Sequence, residues 1–294
     1  MKTVRKYIFC FLLLTTVLSC TEHIDITTDN ASPRLVITGY ITTEATTHFI
    51  QVSRTVSYFG DEKPATYSNA KVSINGIILN YTSDGLYSTP SNFRGEPGKT
   101  YQLEVLVDFD EDGIDEYYTA YATMPPIPIL DSISLRASES NNPIGPPWFP
   151  FVHFMDVPGA NHYGVHLYIN NSKFSSNVTS YFLNFFNDKA AEGEYINFPV
   201  VNYRLQEEME KRNDEIVILK PGDVITLELN LLSPEYFEFI RAAKEEVVGK
   251  SPLFAGPPAN IPGNISGNAL GIFGAYTVSR ASVTLPSTPS FFIK

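Results

Sequence analysis

The sequence predicts a mainly β protein with two antiparallel sandwich domains, immunoglobulin-like or fibronectin-like, and a helical insertion in the second domain. Short runs of alternating apolar residues are separated by turn residues about every ten positions, which is typical of antiparallel sandwiches. Asn-Gly and Asp-Gly pairs, which are strong hairpin signals, lie between such runs. A clear helical period is confined to one late segment, so the strands define the fold class.

Residues 1–19 have the pattern of a secretory signal peptide. Lys2 and Arg5 belong to a basic head, and a largely apolar stretch follows from Ile8 to Leu18. This stretch is too short for a transmembrane helix, which needs ~20 apolar residues. A small residue, Ser19, ends it, as expected before a cleavage point.

Cys20 directly follows the predicted cleavage point, as bacterial lipoprotein processing requires. We therefore expect the Cys20 thiol to carry a lipid anchor, and we expect residues 20–33 to form a flexible polar tether. The other cysteine, Cys10, would leave with the signal, so the mature chain would have neither a free thiol nor a disulfide. The alternative is a plain secreted protein in which the position of Cys20 is incidental.

The chain is acidic, with a formal net charge of −11 at pH 7 and no run of basic residues. Nucleic-acid binding needs clustered lysine and arginine side chains to displace counterions. The composition therefore argues against nucleic acid as a partner, and it predicts membrane contact only through the anchor.

The first predicted sandwich spans residues 34–124. The runs RLVITGYIT and HFIQVSRTV predict its first two strands, because β-branched and alternating apolar residues favour strands. Hairpin turns are predicted at Asn75-Gly76 and Asp84-Gly85, and an alternating strand is predicted from Tyr101 to Val107. The run EYYTAYATM predicts the closing strand.

A proline-rich joint within Met124–Leu135 leads into the second predicted sandwich, residues 125–294. Its strands are predicted in VHFMDV, HYGVHLYIN, EIVILKPGDVITLELNLL and NALGIFGAYTVSRASVTL. Between residues 172 and 213 the pattern is unclear: SYFLNFFND is aromatic, NYRLQEEMEKRND could form a short charged helix, and the role of the region stays open.

The predicted helix lies near residues 233–249. Ser233 can cap its start and Gly249 can end it. The helical period places four apolar side chains on one face: Tyr236, Phe239, Ile240 and Ala243.

The acidic segment DFDEDGIDE has the first half of a calcium-binding loop. Asp108, Asp110 and Asp112 alternate and precede a glycine, so their carboxylates can converge on one hard cation. Together with Asp115, they are the predicted ligands of a structural calcium ion. The pattern is incomplete, because Thr119 stands where a bidentate glutamate is expected. The alternative is a solvated acidic hairpin, in which aspartate and glycine are common.

Three histidines suggest a second metal hypothesis: His153, His162 and His166 lie within one short stretch. His162 and His166 would share a strand face, but strand geometry separates such positions by ~13 Å. That separation is too large for one zinc ion without a bulge, so unrelated histidines around a turn are the simpler interpretation.

Aromatic residues are abundant, and most should pack in the sandwich cores. Trp148 and Phe149 lie in the proline-rich run NNPIGPPWFPF, where a core role is less assured. We predict that these two residues contact a ligand or a partner protein.

The sequence has no motif for nucleophilic, phosphoryl-transfer or zinc-protease chemistry. A nucleophile elbow, a P-loop, a dinucleotide fingerprint and a His-Glu-x-x-His pair are all missing from it. We therefore expect no enzymatic activity and no cofactor beyond the calcium ion.

In order and spacing, the stretches LVITGYIT, GEPGKTYQLEV, TMPPIPILDSI and NISGNALGIFGAY resemble a lipoprotein family of the Bacteroidota, the domain-of-unknown-function family four-two-four-nine. The N-terminal part also resembles the carboxypeptidase regulatory-like sandwich, through its Gly-x-x-Tyr-x-Leu-x-Val strand. The resemblance implies a lipoprotein of the outer membrane that accompanies a TonB-dependent receptor. It assigns no catalytic residues.

The main hypothesis is therefore an accessory binding or scaffolding lipoprotein of an outer-membrane uptake system. The alternatives are a surface hydrolase acting on glycan or peptide and a structural adhesion module. The sequence leaves open the ligand, the oligomeric state, and whether the protein faces the periplasm or the cell surface.

Overall fold

The computed structural model describes residues 32–56, 63–137, 148–174, 185–188, 193–200, 220–247 and 261–287. Strands dominate this part of the chain, which confirms the predicted mainly β class and its antiparallel sheets. Residues from Pro33 onward form one compact unit. The predicted signal peptide and Cys20 lie outside the described residues.

The strands of the first half run in chain order as β1 Leu35–Thr42, β2 Phe49–Arg54, β3 Lys71–Ile74, β4 Ile77–Ile78, β5 Asn80–Tyr81, β6 Leu86–Ser88, β7 Thr100–Val107 and β8 Glu116–Thr123. The second half continues with β9 Ile129–Ala137, β10 Trp148–Met155, β11 His162–Ile169, β12 Ser172–Phe174, β13 Phe185–Asn187, β14 Tyr195–Pro199, β15 Val224–Leu232, the helix α1 Pro234–Val247 and β16 Leu270–Thr284.

These strands form three sheets. The largest has the order β12-β11-β15-β16-β1-β2-β6-β5, with β13 paired to β11. A four-stranded sheet, β4-β3-β7-β8, lies in the first half, and a three-stranded sheet, β14-β10-β9, lies in the second.

Both predicted hairpin turns are present. Asn75 and Gly76 have φ values of 48° and 77°, and Asp84 and Gly85 have φ values of 48° and 74°. Positive φ at both central residues is what a tight two-residue hairpin requires, and Asn, Asp and Gly tolerate it best.

The first core fills the space between the four-stranded sheet and one part of the largest sheet. Alternation in β7 buries every second residue from Tyr101 to Val107, as predicted. Ile37 and Ile41 of β1 face these side chains, and Phe273 and Ala275 of β16 complete the cluster.

The second core has different members. Val152 and Phe154 of β10 pack against Tyr163 and Val165 of β11 and against Leu229 of β15. The apolar face of the three-stranded sheet is thereby buried on the other end of the largest sheet.

Strand β16 belongs to both cores. Its first half pairs in parallel with β1, from Leu270 opposite Val36 to Tyr276 opposite Thr42. Its second half pairs with β15 and adds residues such as Val283 to the second core. The division predicted at residue 124 stays a prediction, because residues after it return to supply a strand to the first core.

The parallel pairing of β1 and β16 depends on one glycine. Gly271 has a φ of 109°, and a Cβ atom there would lie 1.9 Å from the Ile37 carbonyl oxygen. Only glycine fits this position, because the backbone conformation and the space both exclude a side chain.

The helix α1 is where the sequence predicts it, although Gly249 lies outside the described residues. Short strands β12, β13 and β14 fall within residues 172–213, where the sequence predicts no strand, and the charged run at 202–214 lies outside the described residues. Among the described residues, no helix is both long and apolar enough to cross a bilayer.

Candidate functional site

A cavity of about 400 Å³ lies between α1 and the outer face of the largest sheet, opposite the first core. The sheet contributes Thr38, Tyr40, Phe49, Gln51, Leu86 and Ile272. The helix contributes Tyr236, Phe239, Ile240 and Ala243.

The side chains on both walls of this cavity follow the regular spacing of a helix and of a strand. The four helical residues are the apolar face that the sequence predicts for α1. In β1, side chains alternate between the two faces of the sheet, so Ile37 and Ile41 enter the core while Thr38 and Tyr40 face the cavity.

A glycine lets the helix approach the sheet. A Cβ atom on Gly274 of β16 would lie 2.5 Å from the ring of Tyr236, so any side chain would push α1 outward. Tyr236 stacks on Tyr276 with ring centroids 6.0 Å apart and an interplanar angle of 8°. Tyr40 completes the group at 5.2 Å from Tyr276.

The chemistry of the cavity is apolar and uncharged. All of the described residues that line it are uncharged, and their polar groups are the Gln51 amide and a few hydroxyls. Tyr40 is 43% exposed and Phe49 is 47% exposed, which is high for large aromatic residues. Its volume lies within the 300–1,000 Å³ that is usual for small-ligand sites.

The structure brings three of the four predicted calcium ligands together. One carboxylate oxygen from each of Asp108, Asp110 and Asp112 lies within 4.8 Å of the others. Asp108 Oδ2 accepts a hydrogen bond from the Gly113 backbone at 3.0 Å. Asp115 instead pairs with Lys71 Nζ at 2.7 Å.

One atom of this acidic cluster fits a cation. Among the described residues, Asp108 Oδ1 is buried without a hydrogen-bond partner, and such oxygens commonly contact an ion or a water molecule. Calcium takes six to eight oxygen ligands, so three aspartates would supply only part of the shell. The calcium site stays a prediction.

Trp148 and Phe149 lie at the start of β10. Trp148 is partly buried against a small cluster that includes Leu135 and Leu167. Phe149 is only 7% exposed, so its ring packs inside the fold. Of this predicted pair, Trp148 retains the surface that a partner could contact.

The three histidines have separate environments. His153 Nε2 lies 2.8 Å from Ser134 Oγ, on the face of β10 opposite Val152 and Phe154. The His162 ring lies 4.3 Å from the ring of Phe237. His166 is buried elsewhere on β11. Among the described residues, the side chains that lie close enough together to hold a metal ion are those of the three aspartates, and the histidines do not form such a group.

His166 belongs to a buried polar network that the sequence did not reveal. Its partner in the strand pairing is Glu228 of β15, which in turn lies opposite Arg280 of β16. Arg280 Nε donates to Glu228 Oε2 at 2.9 Å, and Arg280 also forms two hydrogen bonds with Glu44. Tyr168 adds a hydroxyl donor to Glu228 at 3.1 Å.

The network shifts two protonation equilibria. Burial, with help from the Lys173 charge, lowers the pKa of His166 to about 4. Burial acts to raise the pKa of Glu228, but the hydrogen bond from Asn230 and the charge and hydrogen bonds of Arg280 outweigh it and hold that pKa below its usual range. At neutral pH the network therefore contains a neutral imidazole beside an ionised carboxylate.

Another apolar feature is a row of exposed side chains across the three-stranded sheet. Met155 of β10 lies between Ile129 of β9 and Tyr195 of β14 in the strand register. All three side chains are exposed, and such contiguous apolar surface is a common feature of contact sites.

Comparison with known proteins places most of the chain in one family. A family model described as "Domain of unknown function (DUF4249)" matches residues 21–282. Neither the curated proteins nor the solved structures provide a match.

Proposed function

The chain belongs to the DUF4249 family, and from that premise we propose that it is a lipid-anchored accessory binding protein of an outer-membrane TonB-dependent uptake system. The observation that carries the binding role is the uncharged cavity of about 400 Å³ between α1 and the largest sheet. A pocket lined by apolar and aromatic groups with a few polar groups is the usual form of a small-ligand site.

The anchoring role follows from the N-terminal sequence. Cys20 follows a basic head, an apolar stretch and a small residue, which is the pattern of lipoprotein processing. Each buried methylene adds ~0.8 kcal/mol to membrane affinity, so several acyl chains on one residue would hold the protein firmly. The fold would then be free to present its loops and cavity to a receptor or to the receptor's ligand.

The lipid anchor is tested by replacing Cys20, the residue proposed to carry the lipid. We expect Cys20→Ser to abolish incorporation of radiolabelled palmitate and to move the protein from the membrane fraction to the soluble fraction. Cys10→Ser is the matched control, because Cys10 would be removed with the signal. Membrane sedimentation of Cys20→Ser at the unmodified level would contradict the proposal.

The partnership is tested by purification and by uptake. We expect the affinity-tagged protein to co-purify with a TonB-dependent receptor, and deletion of its gene to lower uptake of that receptor's substrate. The proposal fails if no receptor is recovered and uptake is unchanged.

A surface hydrolase is the second candidate, and one contact favours it. Ser134 Oγ lies 2.8 Å from His153 Nε2, within reach for a nucleophile and a general base. A fluorophosphonate probe distinguishes the candidates. Labelling that Ser134→Ala abolishes would favour the hydrolase, whereas we expect no labelling.

A further inference from the structure

We propose that the cavity beneath α1 binds a compact, uncharged ligand rich in flat apolar rings. The inference rests on the proposed binding role and deepens it by naming the class of ligand. It is argued from the shape of the cavity, its aromatic walls and its lack of charge.

The walls are aromatic on both sides. Tyr40 and Phe49 rise from the sheet, and Tyr236 and Phe239 descend from α1. Flat rings favour stacked or edge-on contact with other flat rings, and such pairs are stabilised beyond simple burial. The high exposure of Tyr40 and Phe49 leaves apolar surface that a bound ligand would remove from water.

Two of these four rings, those of Tyr40 and Tyr236, are held in place by contacts within the fold. Tyr236 is held between the Gly274 backbone and the Tyr276 ring, and Tyr40 contacts both tyrosines. Because the rings are already ordered, a ligand would lose little affinity to the ordering of side chains.

The charge of the ligand follows from the lining. No described residue that lines the cavity is ionisable at neutral pH, so a carboxylate, phosphate or ammonium group would lose its hydration without gaining a partner. Gln51 offers an amide donor and acceptor, and Thr38 offers a hydroxyl. These groups suit a single polar atom on an otherwise apolar ligand, and they would fix its orientation.

The test is a fluorescence titration with N-phenyl-1-naphthylamine, which is uncharged, aromatic and carries one N–H donor. We expect saturable binding at one site. Ala243→Phe fills the cavity from α1 and should raise Kd at least about tenfold, a change of ~1.4 kcal/mol. Ala242→Phe is the matched control on the same helix, because Ala242 does not line the cavity, and it should leave Kd unchanged.

Two further variants keep the test decisive if Ala243→Phe disturbs α1. Phe49→Ser removes one half-exposed wall without touching the helix and should also raise Kd. Gln51→Leu keeps the size of the side chain and should weaken binding less. The inference is overturned if the probe does not bind saturably, or if the Ala242 and Ala243 variants weaken it equally.

The result separates this inference from the proposed function. If the probe does not bind but a receptor co-purifies, the proposed class of ligand is wrong and the uptake role stands. If the probe binds saturably but no receptor co-purifies and uptake is unchanged, the uptake role is wrong and the ligand site stands.

Discussion

His166 of β11 is a buried histidine that lies directly opposite the ionised Glu228 of β15 in the strand register. The pairing with Glu228 does not charge the imidazole, because burial outweighs the attraction and lowers the pKa of His166 to about 4. The unfolded chain would restore an ordinary pKa near 6.5. Protonation therefore distinguishes the folded and unfolded states across a range of weakly acidic pH.

We predict that the free energy of unfolding falls as the pH is lowered from about 6.5 to about 4. Over this range the unfolded chain gains a proton at His166 while the folded chain does not, so stability is lost on acidification and His166 adds no slope below pH 4. The loss from this group is at most about 3.5 kcal/mol, because the pKa of His166 falls from an ordinary 6.5 to about 4 on folding and each pKa unit corresponds to ~1.4 kcal/mol.

Denaturant unfolding at a series of pH values measures this effect. His166→Asn should reduce the dependence of the unfolding free energy on pH between pH 6.5 and 4. His153→Asn is the control and should change the slope less, because His153 is partly exposed and its pKa is lowered by a smaller burial effect. Equal slopes for His166→Asn and the unmodified protein would show that another group dominates.

The acidic cluster supports a prediction about calcium. We expect millimolar Ca²⁺ to raise the melting temperature by several degrees, because an ion that binds only the folded state stabilises it by mass action. Asp110→Asn with Asp112→Asn should abolish the rise, because these carboxylates lie within 4.8 Å of that of Asp108. Scanning calorimetry with Ca²⁺ or with a chelator measures it.

Asp115 provides the control for the calcium prediction. The sequence places it among the ligands, but the structure pairs it with Lys71. Asp115→Asn should therefore preserve the calcium effect, and a calcium-independent melting temperature in the unmodified protein would exclude the site.

The two polar sites differ in how visible they are in the sequence. The aspartates lie close together in the chain, so a local pattern was enough to group Asp108, Asp110 and Asp112. His166, Glu228 and Arg280 are far apart in sequence and meet only because three strands pair side by side. Without the strand register, no sequence signal joins them.

At the scale of elements, the helix was predictable and the cavity was not. The period of Tyr236, Phe239, Ile240 and Ala243 shows which face of α1 is buried. It does not show what lies opposite, because the other wall comes from four strands that are distant in sequence. The cavity exists only where the apolar face of the helix meets outward-facing positions such as Tyr40.

The seating of α1 leads to a third prediction. Gly274→Ala should destabilise the protein by about 1–3 kcal/mol, as overpacked substitutions typically do. The added Cβ atom would meet the Tyr236 ring at 2.5 Å, so the helix must shift away from β16. The same variant should weaken binding of the naphthylamine probe, since Tyr236 forms one cavity wall.

Chemical denaturation and the fluorescence titration test both parts of that prediction. Thr284→Val, at the exposed end of the same strand, is the control and should affect neither measurement. Unchanged stability in Gly274→Ala would mean that α1 is less closely packed than the structure indicates.

At the scale of the whole molecule, one strand joins two hydrophobic cores. The first core takes most of its strands from residues before Met124, and the second core takes its strands from residues after it. Local patterns could not show that residues 270–276 return to the first core. Arg280 strengthens the junction, because it bonds both Glu44 before β2 and Glu228 on β15.

This topology predicts that the first sandwich does not fold from its own segment. A fragment of residues 33–124 would leave one edge of β1 unpaired and would remove Phe273 and Ala275 from the core. Unpaired edges and lost core side chains both oppose folding. Far-UV circular dichroism and amide dispersion in a proton–nitrogen correlation spectrum should therefore indicate an unfolded fragment.

The missing strand should rescue that fragment. Residues 261–276 can be appended after residue 124 through a short glycine–serine linker, since Ser266 already bonds the backbone of Thr119 on β8 at 2.8 Å. We expect this longer fragment to show dispersed amide signals and cooperative unfolding. The same linker followed by a scrambled 261–276 segment should not restore folding. The strand that pairs with β1 needs glycine at position 271, where its backbone lies against Ile37. A folded 33–124 fragment would contradict the shared-strand explanation, and an unfolded extended fragment would mean that the second core is also required.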